Sequence, residues 1–472
     1  MEIETTIFLT QSDTTTDLDL SFTSCTSTTS TDRTFTSSSA RSSLRLSFNE
    51  SRLSTSGSPR PHRKSDSHWS AINAATNLTP DGILQLHHLK LLRHLGSGNF
   101  GKVFLCKLKD FDGAEFALKV VDRDALTSKK LSHVQMESEI LSVVDHPFLP
   151  TLYAHLEVSH YTCMLMDYCS GGDLHSLLRR RPGNRFGVDA VRFFASEVLV
   201  GLEYLHAIGV VYRDLKPENI LIREDGHIML SDFDLCFKAD VIPTLQLIQT
   251  QNKIRTGFSC FGFGSTREGT EEELTQFVAE PTTAYSRSCV GTHEYLAPEL
   301  VNGNGHGNGV DWWAFGVFIY ELLYGRTPFK GTTKEATLHN IASSRTFRFP
   351  DASDVAHAYD SMEVQARDLI EKLLVKDPLE RLGCARGASD IKRHSFFDGI
   401  KWPLIRTYTP PQEVRMGRKT SQVCYVSRRV SPLKRKSEGR SWSLKSGIGN
   451  LIRSKVGFNF GNSKSREERF MF

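Results

Sequence analysis

The chain has 472 residues, carries 58 Lys/Arg against 54 Asp/Glu, and is 39% hydrophobic and 24% charged. That is room for a two-lobed catalytic domain with flanking segments, in a composition ordinary for a soluble protein with polar tails. Nine cysteines run from Cys25 to Cys424 with no CxxC pair and no His/Cys cluster at zinc spacing. This excludes a disulfide scaffold and a zinc finger, and points to reduced thiols in a cytosolic or nuclear protein.

The chain starts Met-Glu-Ile-Glu, without a basic leader, so a secretory signal is not expected. In positions 21 to 60, 22 of 40 residues are Ser or Thr and no apolar period develops. Such a segment cannot bury enough surface to offset its ordering entropy, so residues 1 to 85 are expected to be disordered. They serve either as a solvated tail or as a regulatory phosphorylation platform.

From Leu89 onward, short β-like runs appear, such as Val103-Phe-Leu and Phe116 to Val121. Helical periodicity follows at 131–143, 173–181 and 188–207. A β-rich part before a helix-rich part predicts an α+β architecture of two unequal lobes with a cleft between them, over residues 89–397. The longest apolar run, Trp312 to Tyr320, is too short to span a bilayer and predicts a buried core helix. Residues 238–285 have mixed polarity and are expected as a long insertion without a core of its own. The last part, 398–472, is an extension and tail; from Gln412 on it holds 15 Lys/Arg and 4 Asp/Glu, an excess of +11 in a chain whose total is only +4.

Gly96-Ser97-Gly98-Asn99-Phe100-Gly101-Lys-Val103 is a glycine-rich loop that β-like sequence follows directly. A flap over a triphosphate fits that order, whereas a dinucleotide crevice requires a helix after the loop. Lys119 lies 18 residues beyond Gly101 in the run Ala117-Leu-Lys-Val. Half-buried there, it needs anionic partners, which phosphates and Glu137 can supply. The strongest signal is Tyr212-Arg-Asp214-Leu-Lys216-Pro-Glu-Asn219, with Asp232-Phe-Asp234 following at a distance of 18 residues from Asp214. Asp214 is placed to orient a substrate hydroxyl and take its proton, Lys216 to neutralise a transferring phosphoryl group, and Asn219 and Asp232 to hold Mg²⁺. A base, a cation and two metal ligands suffice for phosphoryl transfer from ATP, which depends on positioning and charge neutralisation.

With Gly291-Thr292-His-Glu-Tyr-Leu-Ala-Pro-Glu299, Asp311-Trp-Trp-Ala and Arg381 added, residues 89 to about 397 resemble the protein kinases. Tyr212, the Asp311-Trp-Trp-Ala run and Asp145-His-Pro-Phe-Leu-Pro resemble the AGC group among them. The resemblance implies that Thr292 steadies Asp214 and Lys216, that Glu299 pairs with Arg381, and that Asp311 anchors the catalytic loop. It implies a hydrophobic spine of Leu141, Leu152, Tyr212 and Phe233. It also counts Gly96 to Gly101, Val103, Ala117, Lys119, Glu137, Asp167, Cys169 and Asp173 among the ATP-contacting residues. Asp234 in place of Gly after Asp-Phe, together with the long insertion, resembles the plant AGC VIII kinases. The Ser/Thr-rich N-terminal strings resemble the PINOID-like WAG kinases within that family.

From this resemblance follow further expectations: a serine/threonine kinase, monomeric, acting on PIN auxin efflux carriers in auxin transport and organ growth. Asp173 and Glu218 are expected to favour basic residues before the target hydroxyl. Ser288 is expected as a regulatory phosphosite whose phosphate meets Arg213, added by autophosphorylation or by an upstream phosphoinositide-dependent kinase. The chain ends Arg469-Phe470-Met471-Phe472, one residue short of the Phe-x-x-Phe docking spacing of many AGC kinases. The basic tail, with Trp442, Leu444, Ile448, Leu451, Ile452 and Phe458 interleaved, reads as a binder of anionic lipid, as a nuclear signal centred on Lys434-Arg-Lys436, or as a solvated tail. The expected location is the cytoplasm and the cytoplasmic face of the plasma membrane, with the nucleus as the alternative. No nucleic-acid-reading fold accompanies the charge. Asp234 is expected to adopt a left-handed backbone, which keeps a nucleotide-binding pseudokinase scaffold as the alternative to an active enzyme.

Overall fold

In the computed structural model the described residues are 62, 66–77, 82–98, 100–109, 111, 113–249, 273–343, 347–350 and 361–415. The chain divides into Met1–Ser58 and Pro59–Phe472, and every described residue lies in the second unit. Asn99, the Ser/Thr-rich start and the basic tail beyond residue 415 lie outside the described residues.

The smaller lobe is built on five antiparallel strands: β1 (Leu89–Ser97), β2 (Gly101–Leu108), β3 (Glu115–Asp122), β4 (Leu152–Val158) and β5 (Tyr161–Asp167), ordered β1-β2-β3-β5-β4. Alternate strand positions such as Cys106 and Leu108, and Phe116 and Leu118, face a core that also holds Leu89 and Leu165. A helix that the sequence did not announce, α1 (Ser67–Asn77), lies within the stretch expected to be disordered up to residue 85. It buries Ile72 and Ala75 in this same core. Trp69 packs on Tyr153 with ring centroids 5.7 Å apart, and Tyr153 Oη stands 2.8 Å from Asp66 Oδ2 just before the helix. Tertiary burial, not intrinsic propensity, holds this short helix.

Between β3 and β4 runs α2 (Ser128–Val143), started by Thr127, whose side chain accepts from Lys130 N–H. The larger lobe opens with α3 (Leu174–Arg179) and α4 (Val188–Ala207). Along α4 the apolar positions Val191, Phe194, Ala195, Val198, Leu202 and Leu205 recur at helical spacing and are fully buried. Short strands β6 (Val210–Val211), β7 (Ile220–Ile222), β8 (Ile228–Leu230) and β9 (Phe237–Lys238) then frame the loop carrying Asp214 and the segment carrying Asp232, pairing β6 with β9 and β7 with β8. Inside the expected insertion the chain forms a hairpin, β10 (Thr244–Gln249) with β11 (Glu273–Val278), in register from Thr244↔Val278 to Gln249↔Glu273. The strand residues Leu245 and Phe277 stay exposed, while Val278 at the end of β11 is buried.

The remaining helices are α5 (Pro298–Val301), α6 (Gly309–Tyr324), α7 (Lys334–Ala342), α8 (Ser361–Leu373), α9 (Ala388–Lys392) and α10 (Gln412–Arg415). The apolar run Trp312 to Tyr320 is the centre of α6, buried from Val310 to Leu323 and packed on α4 and α8. No described helix is long and apolar enough to cross a membrane. The described chain continues past Trp402 to Arg415, with Ile405 buried in the larger lobe.

Candidate active site

The site lies where the two lobes meet, and each half supplies its charges from a differently constrained backbone. Gly98 N–H donates to Gly101 C=O at 2.9 Å, closing the turn between β1 and β2. A Cβ on Gly101 would lie 2.3 Å from Val120 O, so this strand crossing tolerates no side chain. A Cβ on Gly96 or Gly98 would meet nothing within 4 Å, so these two glycines border open space. Phe100 stacks on His133 of α2, with centroids 5.9 Å apart.

On β3, Val103 of the neighbouring strand pairs with Lys119, and Ala117 is buried beside it. Lys119 Nζ donates to both Glu137 carboxylate oxygens at 2.6 Å and stands 3.9 Å from Asp232 Oδ1. Burial works against the ammonium charge, but Glu137 and Asp232 outweigh it and raise the Lys119 pKa. The pair brings α2 against the sheet and leaves Lys119 charged and buried beside Asp232.

Below it the catalytic loop forms a closed hydrogen-bonded set. Lys216 Nζ donates to Asp214 Oδ2 at 2.6 Å and to Thr292 Oγ1 at 2.9 Å. Thr292 returns its hydroxyl to Asp214 Oδ1 at 3.0 Å and its N–H to the same oxygen at 3.2 Å. Asn219 Nδ2 donates to Asp214 Oδ2 and to Asp214 C=O, both at 2.9 Å. Its donors thus spent, Asn219 has Oδ1 to offer a cation. Asp232 is the more exposed partner, 38% accessible at its side chain, with φ +61°. Together these two fit a hard divalent cation that takes oxygen ligands, and the open glycine edge with Lys119 fits a triphosphate.

Asp311 holds this loop from beneath: its carboxylate accepts Tyr212 N–H at 2.8 Å and Arg213 N–H at 2.7 Å. Glu299 and Arg381 meet in a bidentate pair, at 2.7 and 2.9 Å, with Arg381 1% exposed. Tyr212 and Phe233 pack edge to face at 5.6 Å, and Leu141 and Leu152 belong to the same buried cluster.

The structure corrects the backbone reading at Asp234 and shows how Asp167, Asp173 and Cys169 are held. The left-handed backbone expected at Asp234 occurs at Asp232 and Arg213 instead, with φ +61° and +65°; Asp234 is not among the positive-φ residues. Asp234 is buried, and desolvation together with the Asp232 charge pushes its carboxyl up to about 7 against the pull of Lys119. Asp167 spends its carboxylate on the fold: Oδ2 accepts Thr151 N–H at 2.7 Å and Oδ1 stands 2.9 Å from Tyr153 Oη. Asp173 likewise caps α3, accepting from Ser176 N–H at 2.6 Å and from its hydroxyl at 2.7 Å. Cys169 is buried, with Sγ 3.6 Å from Met229 Sδ and a thiol pKa pushed up to about 12 by burial.

Arg213 meets a different serine from the expected one. It bonds Leu235 C=O at 2.6 Å, lies 4.7 Å over the Phe237 ring, and donates to Ser286 Oγ at 3.3 Å. Ser288 is exposed, and its N–H donates to that same Ser286 Oγ at 3.2 Å. Ser286, which the sequence reading passed over, is the serine in contact with Arg213. Glu218 is exposed, 3.7 Å from His175. Also missed were His206, buried beside Asp311, and Glu280, buried on the other side of the His206 ring; an uncompensated His at the end of an apolar helix was their only signal.

Comparison with known proteins agrees with this geometry. Residues 89–397 match the family model described as the protein kinase domain. The chain is 60% identical to the serine/threonine-protein kinase WAG1 of Arabidopsis thaliana over 93% of both chains. It is 61% identical to WAG2 of the same plant over 89% of both. The serine/threonine-protein kinase AGC1-7 is 46% identical over 76% of this chain and 69% of its own. The chain belongs to the protein kinase family, as a serine/threonine kinase of the plant AGC group.

Proposed function

We propose that the chain phosphorylates cytosolic loops of PIN auxin efflux carriers, and that this regulates polar auxin transport and organ growth. The observation carrying the catalytic half of this reading is the closed set of Asp214, Lys216, Thr292 and Asn219. In it Asp214 is oriented by three neighbours, which suits a carboxylate that takes the proton of a substrate hydroxyl. The substrate oxygen forms its bond to the γ-phosphorus, the bond to the β–γ bridging oxygen breaks, and ADP leaves. The hydroxyl proton passes to the Asp214 carboxylate. Lys216 and Lys119 offset charge on the phosphates, and Asn219 and Asp232 are the residues that would hold Mg²⁺. When bound, that ion neutralises and orients the phosphates.

The carrier reading rests on resemblance to PINOID-like kinases, supported by identity to WAG1 and WAG2. Basic residues ahead of the target hydroxyl would meet exposed Glu218, while Asp173 is committed to capping α3. The +11 tail from Gln412 suits the anionic inner face of the plasma membrane, with the nuclear-signal reading of Lys434-Arg-Lys436 as the competing use of the same charge. Phosphate on Ser288 would draw on Arg213, two residues from where Ser286 already engages it, and an upstream phosphoinositide-dependent kinase or the chain itself would supply it.

The test is transfer of labelled phosphate to recombinant cytosolic loops of PIN carriers, with unrelated basic Ser/Thr proteins of equal length alongside. The reading expects preferential labelling of the PIN loops, lost with Asp214→Ala. Equal labelling of all substrates would remove the carrier from the account and leave the kinase.

A further inference from the structure

The inserted segment returns to the larger lobe along β11, and two residues after that strand ends it sets down Glu280. This carboxylate is 6% exposed and joins three separate parts of the lobe. Oε2 stands 2.8 Å from His206 Nδ1, at the end of α4, and accepts from Asn308 Nδ2 at 2.9 Å, just before α6. Oε1 accepts the N–H of Ala388, which opens α9, at 3.3 Å. Gly387 makes room for it: a Cβ there would stand 1.6 Å from Oε1. An ionised group enclosed this closely is costly to desolvate, so its partners must compensate it.

His206 is fully buried, and its other nitrogen, Nε2, lies 2.8 Å from Asp311 Oδ2. The same two carboxylate oxygens accept from Asn308 Nδ2 and Tyr212 N–H, so both face the ring as acceptors, an arrangement that suits an imidazolium donating from both nitrogens. Burial opposes that charge; Glu280 and Asp311 override it and hold the pKa at about 10. The same Asp311 grips Tyr212 N–H and Arg213 N–H. Arg213, immediately before Asp214, sits at φ +65°, a conformation that costs a non-glycine residue and persists only where its surroundings dictate it. A line of short bonds therefore runs from the exit of the insertion to the backbone of the catalytic loop.

We propose that Glu280 is a positioning residue for phosphoryl transfer: through His206 and Asp311 it fixes the backbone at Tyr212 and Arg213 and so aims Asp214. The inference rests on the kinase activity already assigned. It makes the inserted segment a structural input to the catalytic loop and not a mere excursion from it. Glu280 and Asp311 are the charged groups facing His206, with the Trp312 ring packed edge-on at 4.7 Å. Asp311 is in turn felt by Arg213, Cys236 and His306.

The experiment measures single-turnover phosphoryl transfer at saturating ATP and peptide by the full chain, because product release can mask the chemical step. Glu280→Gln keeps the shape and removes the charge. The expected result is a loss of about tenfold in the transfer rate with both KM values within about twofold. A new alkaline limb is also expected: with one carboxylate gone, the His206 pKa falls, and the ring loses its charge as pH rises through the working range. Wild type should be flat there. Asn308→Ala removes a Glu280 contact that leads away from the loop; it is expected to lower thermal stability and leave the transfer rate of the folded protein unchanged. Glu280→Gln combined with His206→Gln should be no worse than the more severe single change. A Glu280→Gln protein with the wild-type rate and a flat pH profile overturns the inference, as does additive behaviour in the double variant. An inactive wild type would instead sink the kinase assignment and this inference with it.

Discussion

Thr292 reaches Asp214 Oδ1 twice, with its hydroxyl at 3.0 Å and its backbone N–H at 3.2 Å. The same hydroxyl oxygen accepts from Lys216 Nζ at 2.9 Å. The end of the activation segment is thereby built into the catalytic base: its docking adds Thr292 on Oδ1 to the hold that Lys216 and Asn219 have on Oδ2.

Thr292→Ala removes the hydroxyl from both partners and leaves the backbone bond. We expect kcat to fall by about tenfold or more, the equivalent of one charge-assisted hydrogen bond, with ATP KM nearly unchanged. Thr292→Ser should recover most of the rate. Wild-type kcat in Thr292→Ala would show that the hydroxyl is idle.

Asp234 replaces a glycine without adopting the backbone that would need one. Asp234→Asn should accordingly leave phosphate transfer within about threefold of wild type, since shape is kept and no strain is relieved. A larger loss in steady-state assays would mean that the buried carboxyl itself takes part.

The Glu299–Arg381 pair is buried and bidentate, and Arg381 also donates to Gly309 C=O at 2.8 Å. Glu299→Ala strands a buried guanidinium and should cost about 3–5 kcal/mol of stability. Denaturant unfolding would read this as a lower midpoint at unchanged slope. A midpoint equal to that of wild type would contradict the pairing.

His206 carries its charge far above the ordinary range, with a folded pKa of about 10 against 6.5. Because the folded value is raised, its contribution to stability is complete below 6.5 and is lost as pH rises through about 10. The thermal midpoint of wild type should fall over that alkaline window more steeply than that of His206→Gln. Parallel curves for the two proteins would show that the ring is not charged in the folded state.

The catalytic loop was legible because its parts lie within a few residues of one another, from Asp214 to Asn219, where spacing alone carries the chemistry. Lys119 was legible because it fell in a strongly β-patterned run, and Glu137 because it lay on a helix-patterned stretch. The Glu280–His206 contact spans 74 residues and joins an insertion to a helix end, which no local pattern records. The helix at Ser67–Asn77 was hidden for a related reason: only Ile72 and Ala75 are buried, and its anchor is Tyr153, on a strand far along the chain. The left-handed backbone was assigned from residue type to Asp234, whereas the loop geometry places it at Asp232 and Arg213. Likewise, which carboxylates are spent on the fold, as at Asp167 and Asp173, depends on contacts that form only in three dimensions.

The most direct test of the account is transfer of labelled γ-phosphate from Mg²⁺-ATP to a Ser/Thr peptide, comparing wild type with Asp214→Ala and confirming that both are folded. The account predicts steady transfer by wild type and a loss of several orders of magnitude in the variant. Equal rates in the two proteins, or no transfer by a folded wild type, would contradict it.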